Sequence, residues 1–159
     1  MKTSLKILNL CLLAVSFYAF SSCDDDKNDG DVTKPIINLE EPAEGDTLKI
    51  GAGIHFEMEL SDDEMLKSYK VDIHSNFDGH VHSESLKVAS GTVDFTYNHS
   101  WDVSGKKNTH IHHHEIVIPV DATPGKYHLM VYCTDEAGNE SYIARNVVLS
   151  TEVEDDHDE

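Results

Sequence analysis

The sequence predicts an all-β protein, a single antiparallel β-sandwich of about seven strands. Three observations predict it. No stretch after residue 30 keeps a helical period over three turns. Apolar and polar residues instead alternate with period two in several short runs, as strands with one core face and one wet face require. Clusters of turn-forming residues punctuate those runs at spacings of roughly ten residues.

Each element follows from that pattern. Pro35 to Leu39 forms a short first strand, ended by Glu40, Glu41 and Pro42. Ile54, Phe56, Met58 and Leu60 alternate with His55, Glu57 and Glu59 in a second. Ser61, Asp62, Asp63 and Glu64 read as a turn. Tyr69, Val71 and Ile73 then face the core and send Lys70, Asp72 and His74 outward. Val93, Phe95, Tyr97 and Trp101 mark a fourth strand, and Ile116 to Val120 a fifth. After the turn Ala122 to Gly125, Tyr127, Leu129, Val131 and Cys133 alternate with His128, Met130 and Tyr132. A loop at Asp135 to Asn139 leads to the last strand, Ser141 to Leu149. The Thr123-to-Tyr127 and Thr134-to-Asn139 segments resemble the closing hairpin of bacterial immunoglobulin-like domains. That resemblance implies one immunoglobulin-like sandwich over residues 34–150.

The ends carry other signals. Lys2 and Lys6 precede an apolar stretch, Ile7 to Phe20, too short for a permanent membrane helix. It runs into Phe20-Ser21-Ser22-Cys23, which resembles the lipobox of bacterial lipoproteins. The resemblance implies a signal peptide over 1–22, lipid on Cys23, and membrane attachment through that lipid. The acidic tether over 23–33 opens with Asp24, Asp25 and Asp26 and resembles the export tag of surface lipoproteins. The expected location is therefore the outer membrane, facing the cell exterior, with the inner leaflet as the alternative. With Cys11 and Cys23 set aside, Cys133 has no disulfide partner and reads as a small core residue. Residues 151–159 form an acidic, solvated tail.

The chain of 159 residues has a net charge of −18 with histidine neutral. Loss of the signal removes two lysines and no acid, so the exported domain is more negative still. Such a surface repels nucleic acid and attracts cations, and it favours a monomer.

The candidate chemistry lies in the histidines. Imidazole is the commonest protein ligand for transition metals, and a His-x-His pair on a strand puts both rings on one face. One group is His74, Asp78, His80 and His82, with Gly79 permitting a tight turn between ligands. The other is His110, His112, His113 and His114. His110, His112 and His114 share the parity of Ile116, Ile118 and Val120, although a β-bulge within the run would switch the faces. The pattern therefore leaves open whether His113 or His114 points inward. His128 lies on a surface that a neighbouring strand bearing His112 or His114 could share. His55 has acidic neighbours and reads as a plain surface residue, and His99 as a semi-buried one.

Enzyme signatures are absent: His114-Glu115 lacks the second histidine of a zinc-protease helix, and no nucleophile or phosphate loop is recognisable. The chain is expected not to be an enzyme. The acidic loops at Asp62 and Asp135 could hold calcium, but neither has the spacing of a dedicated calcium loop. The lipobox, Lys34-Pro35-Ile36-Ile37, the segment Ile73 to His82 and the late histidine cluster are together similar to an uncharacterised family of His-rich Bacteroidetes lipoproteins, a domain of unknown function. The residues favour zinc or copper(II) held by clustered imidazoles, since thiols are scarce and imidazoles disfavour magnesium. Such a protein would capture the ion or deliver it to an outer-membrane transporter. The alternative is a non-catalytic binding module for protein or glycan, with incidental histidines.

Overall fold

Most of the period-two runs form strands, but one of the expected breaks between them does not occur. The computed structural model describes residues 30–76 and 91–152, which hold six strands and no helix. They are β1 (Ile36–Glu41), β2 (Thr47–Lys49), β3 (Phe56–Ser75), β4 (Tyr97–His113), β5 (Gly125–Asp135) and β6 (Glu140–Ser150). Hydrogen bonding joins them in one sheet of order β1-β3-β5-β6-β2, with β4 paired to β3.

The long strand β3 organises the molecule. Its first half pairs with β1 (Leu60 opposite Ile37) and with the end of β4 (Met58 opposite Ile111). Its second half pairs with the start of β4 (Val71 opposite His99) and with β5 (Val71 opposite Val131). Between the halves, at Ser61 to Ser68, the register shifts. The expected turn at Ser61 to Glu64 is instead an irregular crossing inside one strand, so two expected strands are one. Acidic residues disfavour a central strand, yet at a bulge they stay largely in water while the backbone bends. The sheet curls there, and Arg145 Nη2 of β6 donates to the Leu39 carbonyl of β1 at 3.4 Å, closing a sandwich-like all-β fold.

Two further boundaries differ from expectation. The fourth strand begins at Tyr97 and runs through His113, absorbing the first part of the histidine run. Ile116 to Val120 is not a ladder strand. It lies along residues 51–54, with Ile54 N donating to Ile116 O at 2.8 Å and Ile118 N to Ala52 O at 2.9 Å. One pair, β2 with β6, is parallel.

The core is the inner face of this curled sheet. Phe56, Met58, Leu60, Val71 and Ile73 of β3 meet Tyr127, Leu129, Val131 and Cys133 of β5, all at most 1% exposed. Burial pushes the Cys133 thiol up to about 12, so it stays a neutral packing group. Tyr127 brings a hydroxyl inside and satisfies it by donating to Thr123 O at 2.8 Å and accepting from Phe95 N at 3.3 Å. Trp101 of β4 is half-buried at the margin of the core, stacked on Tyr69 with ring centroids 4.7 Å apart. His99, expected to be semi-buried, is exposed.

Candidate metal centre

Directly opposed residues of an antiparallel pair share a face. Glu57 stands opposite His112 and Glu59 opposite His110, while Phe56 opposes His113 on the other face. His55 and His114 lie one step beyond the last paired residues, on the outer face with Glu57 and His112. The His55 ring is stacked on that of His114, centroids 5.0 Å apart at 19°, and stands 5.0 Å from that of His112. The His112 and His114 centroids are 5.5 Å apart. One ligand nitrogen from each of the three lies within 4.8 Å of the others, and all three residues are exposed. A tetrahedral ion with bonds of about 2.0–2.1 Å needs its nitrogens roughly 3.4 Å apart. Exposed rings reach that spacing by small torsional adjustments.

Two further residues set this up. Gly53 forms a bridge to Val117, and a Cβ there would stand only 2.6 Å from the His114 carbonyl oxygen. Glycine therefore lets the chain before β3 close against the chain after β4, which brings His55 beside His114. His113 settles the parity of the run: it points inward, half-buried, its ring stacked on Phe56 at 5.1 Å and 5.2 Å from that of Trp101. Glu115 N donates to His113 Nδ1 at 3.4 Å, so Nε2 carries the proton and donates to Tyr69 Oη at 3.2 Å. Desolvation holds His113 below the usual imidazole range, against the opposing pull of Glu115. With both nitrogens engaged, His113 is a packing residue. The turn from His113 to Ile116 then restores the apolar parity one residue late.

His110 sits at the edge of the cluster. Its Nε2 donates to Glu57 Oε1 at 3.0 Å, and its ring centroid is 6.4 Å from that of His112. The other oxygen of Glu57 lies 3.6 Å from His55 Nε2.

His74 and His128 are elsewhere. They oppose one another across β3 and β5, at the far end of β3, with centroids 5.6 Å apart. The expected sharing of a surface between His128 and His112 or His114 does not occur, because β5 pairs with β3 and β6 and not with β4. His74 Nδ1 donates to Asp72 Oδ1 at 2.7 Å, and Asn76 Nδ2 donates to His128 Nε2 at 2.7 Å. Asn98 Nδ2 adds a bond of 2.6 Å to Asp72 Oδ2. Burial works against the charge of Asp72, but the bonds from His74 and Asn98 hold its carboxyl below the usual range.

The acidic crossing forms a third cluster. Asp62 and Asp63 approach Asp31, carboxylate oxygens within 4.8 Å of one another. Asp31 Oδ2 and Asp62 Oδ1 are buried without a hydrogen-bond donor. The neighbouring Asp135 is fully buried. Burial opposes its charge, but Asn139 and the amides of Gly138 and Ala137 hold it below the carboxylate range.

Of the expected ligands, the structure thus unites His112 and His114, leaves His110 beside them on Glu57, and sets His74 and His128 apart. The expected ligands Asp78, His80 and His82, the expected lipidation site Cys23, the expected signal segment and the end of the tail lie outside the described residues. His55 was missed. Its signal was parity: it shares the outer face of β3 with Glu57, the face that meets the histidines of β4.

The family model for a domain of unknown function, DUF4625, matches residues 21–150, and the chain belongs to that family. No curated protein matches the chain. Among solved structures, the chain is similar to the sporulation control protein of Bacillus subtilis, with a TM-score of 0.39 and 12% identity over 75% of this chain. The chain spans about half of that protein, 49% of its length.

Proposed function

We propose that this member of the DUF4625 family is a non-catalytic, lipid-anchored protein of the outer membrane that binds a borderline divalent ion, zinc ahead of copper(II). His55, His112 and His114 hold the ion, and the role is capture or delivery to an outer-membrane transporter. The convergence of three exposed imidazoles within 4.8 Å carries the reading. Three imidazoles and an open position are a common zinc arrangement, and the donor set contains no thiolate that would select copper(I). The net charge of −18 adds a long-range, salt-sensitive attraction for cations without selecting among them. Exposure of the ligands suits an ion that is taken up and passed on, since no packed element must open to release it. Support for the anchor is the sequence around Cys23.

Zinc titration of the purified, untagged protein tests the site. The parent is expected to bind one ion tightly, and replacing His112 and His114 together with alanine should weaken binding on the order of 100-fold. Equal affinity in parent and double variant, or millimolar binding by the parent, would sink the reading. For the anchor, Cys23→Ala should abolish acylation, and lipid labelling that persists in that variant refutes it.

A further inference from the structure

We infer that Glu57 is the fourth ligand of this site, completing a His3Glu zinc centre, and that His110 holds Glu57 in reserve until the ion arrives. The inference rests on the metal reading above and deepens it by naming the donor set and the preferred ion.

The register gives the reason. His55 and Glu57 on one strand face His114 and His112 on the other, Glu57 directly opposite His112. Four ligand-bearing residues thus make a two-by-two array on one face of a single strand pair. Cross-strand Cβ atoms in such a pair are about 4.5–5.5 Å apart, close enough for four side chains to meet over the middle. Glu57 already touches one ligand, its Oε2 lying 3.6 Å from His55 Nε2. Among the described residues its one hydrogen bond is the 3.0 Å contact with His110. Among the described residues no lysine or arginine forms an ion pair with it. The Glu57 side chain is 28% exposed and carries three torsions, so it can swing from His110 to the ion without moving the backbone.

Charge and chemistry agree. Three neutral imidazoles leave a divalent ion with its full charge on an exposed sheet face. A neighbouring carboxylate halves that charge, which a water molecule in the same position does only by losing a proton. A set of three nitrogens and one oxygen around a tetrahedral centre suits zinc, whereas copper(II) prefers a tetragonal plane. Glu59 provides the internal control. It lies on the same face but opposite His110, two residues further from His55 and His114.

The test compares the parent with Glu57→Gln, Glu59→Gln and His110→Ala by zinc titration and by the visible spectrum of the cobalt(II)-loaded protein. Glu57→Gln should lose zinc affinity by about 10–100-fold and change the cobalt(II) spectrum, because the amide is a poor ligand. Glu59→Gln should stay within roughly threefold and keep the spectrum, since it removes only a screened charge. His110→Ala should bind as tightly as the parent or tighter, because it releases Glu57. The inference is overturned if Glu57→Gln and Glu59→Gln behave alike, or if His110→Ala weakens binding and alters the spectrum as a lost ligand would. A parent that binds neither ion fails the metal reading itself, a result distinct from a parent that binds while Glu57→Gln changes nothing.

Discussion

The two ends of β3 each carry imidazoles and a carboxylate on the outer face, yet among the described residues only one end brings three imidazole nitrogens within 4.8 Å of one another. At Asp72 and His74 one nitrogen of each ring is engaged: His74 Nδ1 with Asp72, which also takes Asn98, and His128 Nε2 with Asn76. At the other end no hydrogen bond engages the rings of His112 and His114 among the described residues, and the His55 ring forms an ion-pair contact with Glu57 at 3.6 Å. The first end is a closed polar network that fixes three strands against each other. The second is an array of unspent donors. Counting histidines does not separate the two; asking how many ring nitrogens converge on one point does.

The largest expected effect strikes the packing under the free end. Phe56 is fully buried and its ring supports His113. Phe56→Ala should cost about 3–5 kcal/mol by denaturant unfolding and loosen the array above it. A loss under 1 kcal/mol would mean that the two faces of this strand pair are independent.

Gly53→Ala comes next. Its Cβ would stand 2.6 Å from a backbone oxygen, so the segment must shift, at a cost of roughly 1–3 kcal/mol. Zinc affinity should fall with it because His55 moves away from His114. Unchanged affinity would show that His55 contributes nothing.

His113 gives a pH dependence to the metal-free protein. Its folded value is depressed, so below about 6.5 the unfolded chain takes up the proton first and stability falls. Above that pH both states are neutral there and the contribution vanishes. His113→Phe should flatten this part of the stability curve between pH 7 and about 5. The depressed Asp72 and Asp135 act lower, losing stability as pH falls below the ordinary carboxylate value near 3.8.

Asp62→Asn should raise stability in the absence of divalent ions by about 0.5–1 kcal/mol, because it removes one of three crowded charges and supplies a donor. Destabilisation of the ion-free protein would contradict that account. The smallest effect belongs to the closed end: replacing His74 and His128 together should leave zinc affinity within about threefold, and a loss comparable to that of the His112 and His114 variant would erase the distinction between the ends.

Much of this was legible locally. Alternation from Ile54 to Leu60 and from Tyr127 to Cys133 assigned the buried face correctly, since a strand that buries one side must repeat every second residue. The same rule marked the histidine run as chemistry, and left its parity undecided because three consecutive histidines carry no apolar contrast. The acidic Ser61 to Glu64 segment misled: its composition is that of a turn, and only the pairing of Ser61 before it and Leu66 after it keeps it within one strand.

What the sequence determined by itself, then, was every property that depends on residues within one strand: the all-β class, the inward-facing core, the neutral buried Cys133 and the wealth of imidazole. Tertiary structure alone decided which strands are neighbours, and with that the composition of the site. It put β4 rather than β5 beside the start of β3, joining His55 to His112 and His114 and sending His128 to His74. Strand pairing is set by the burial of whole faces and by where the chain curls, quantities summed over the sheet, so no single segment contains them.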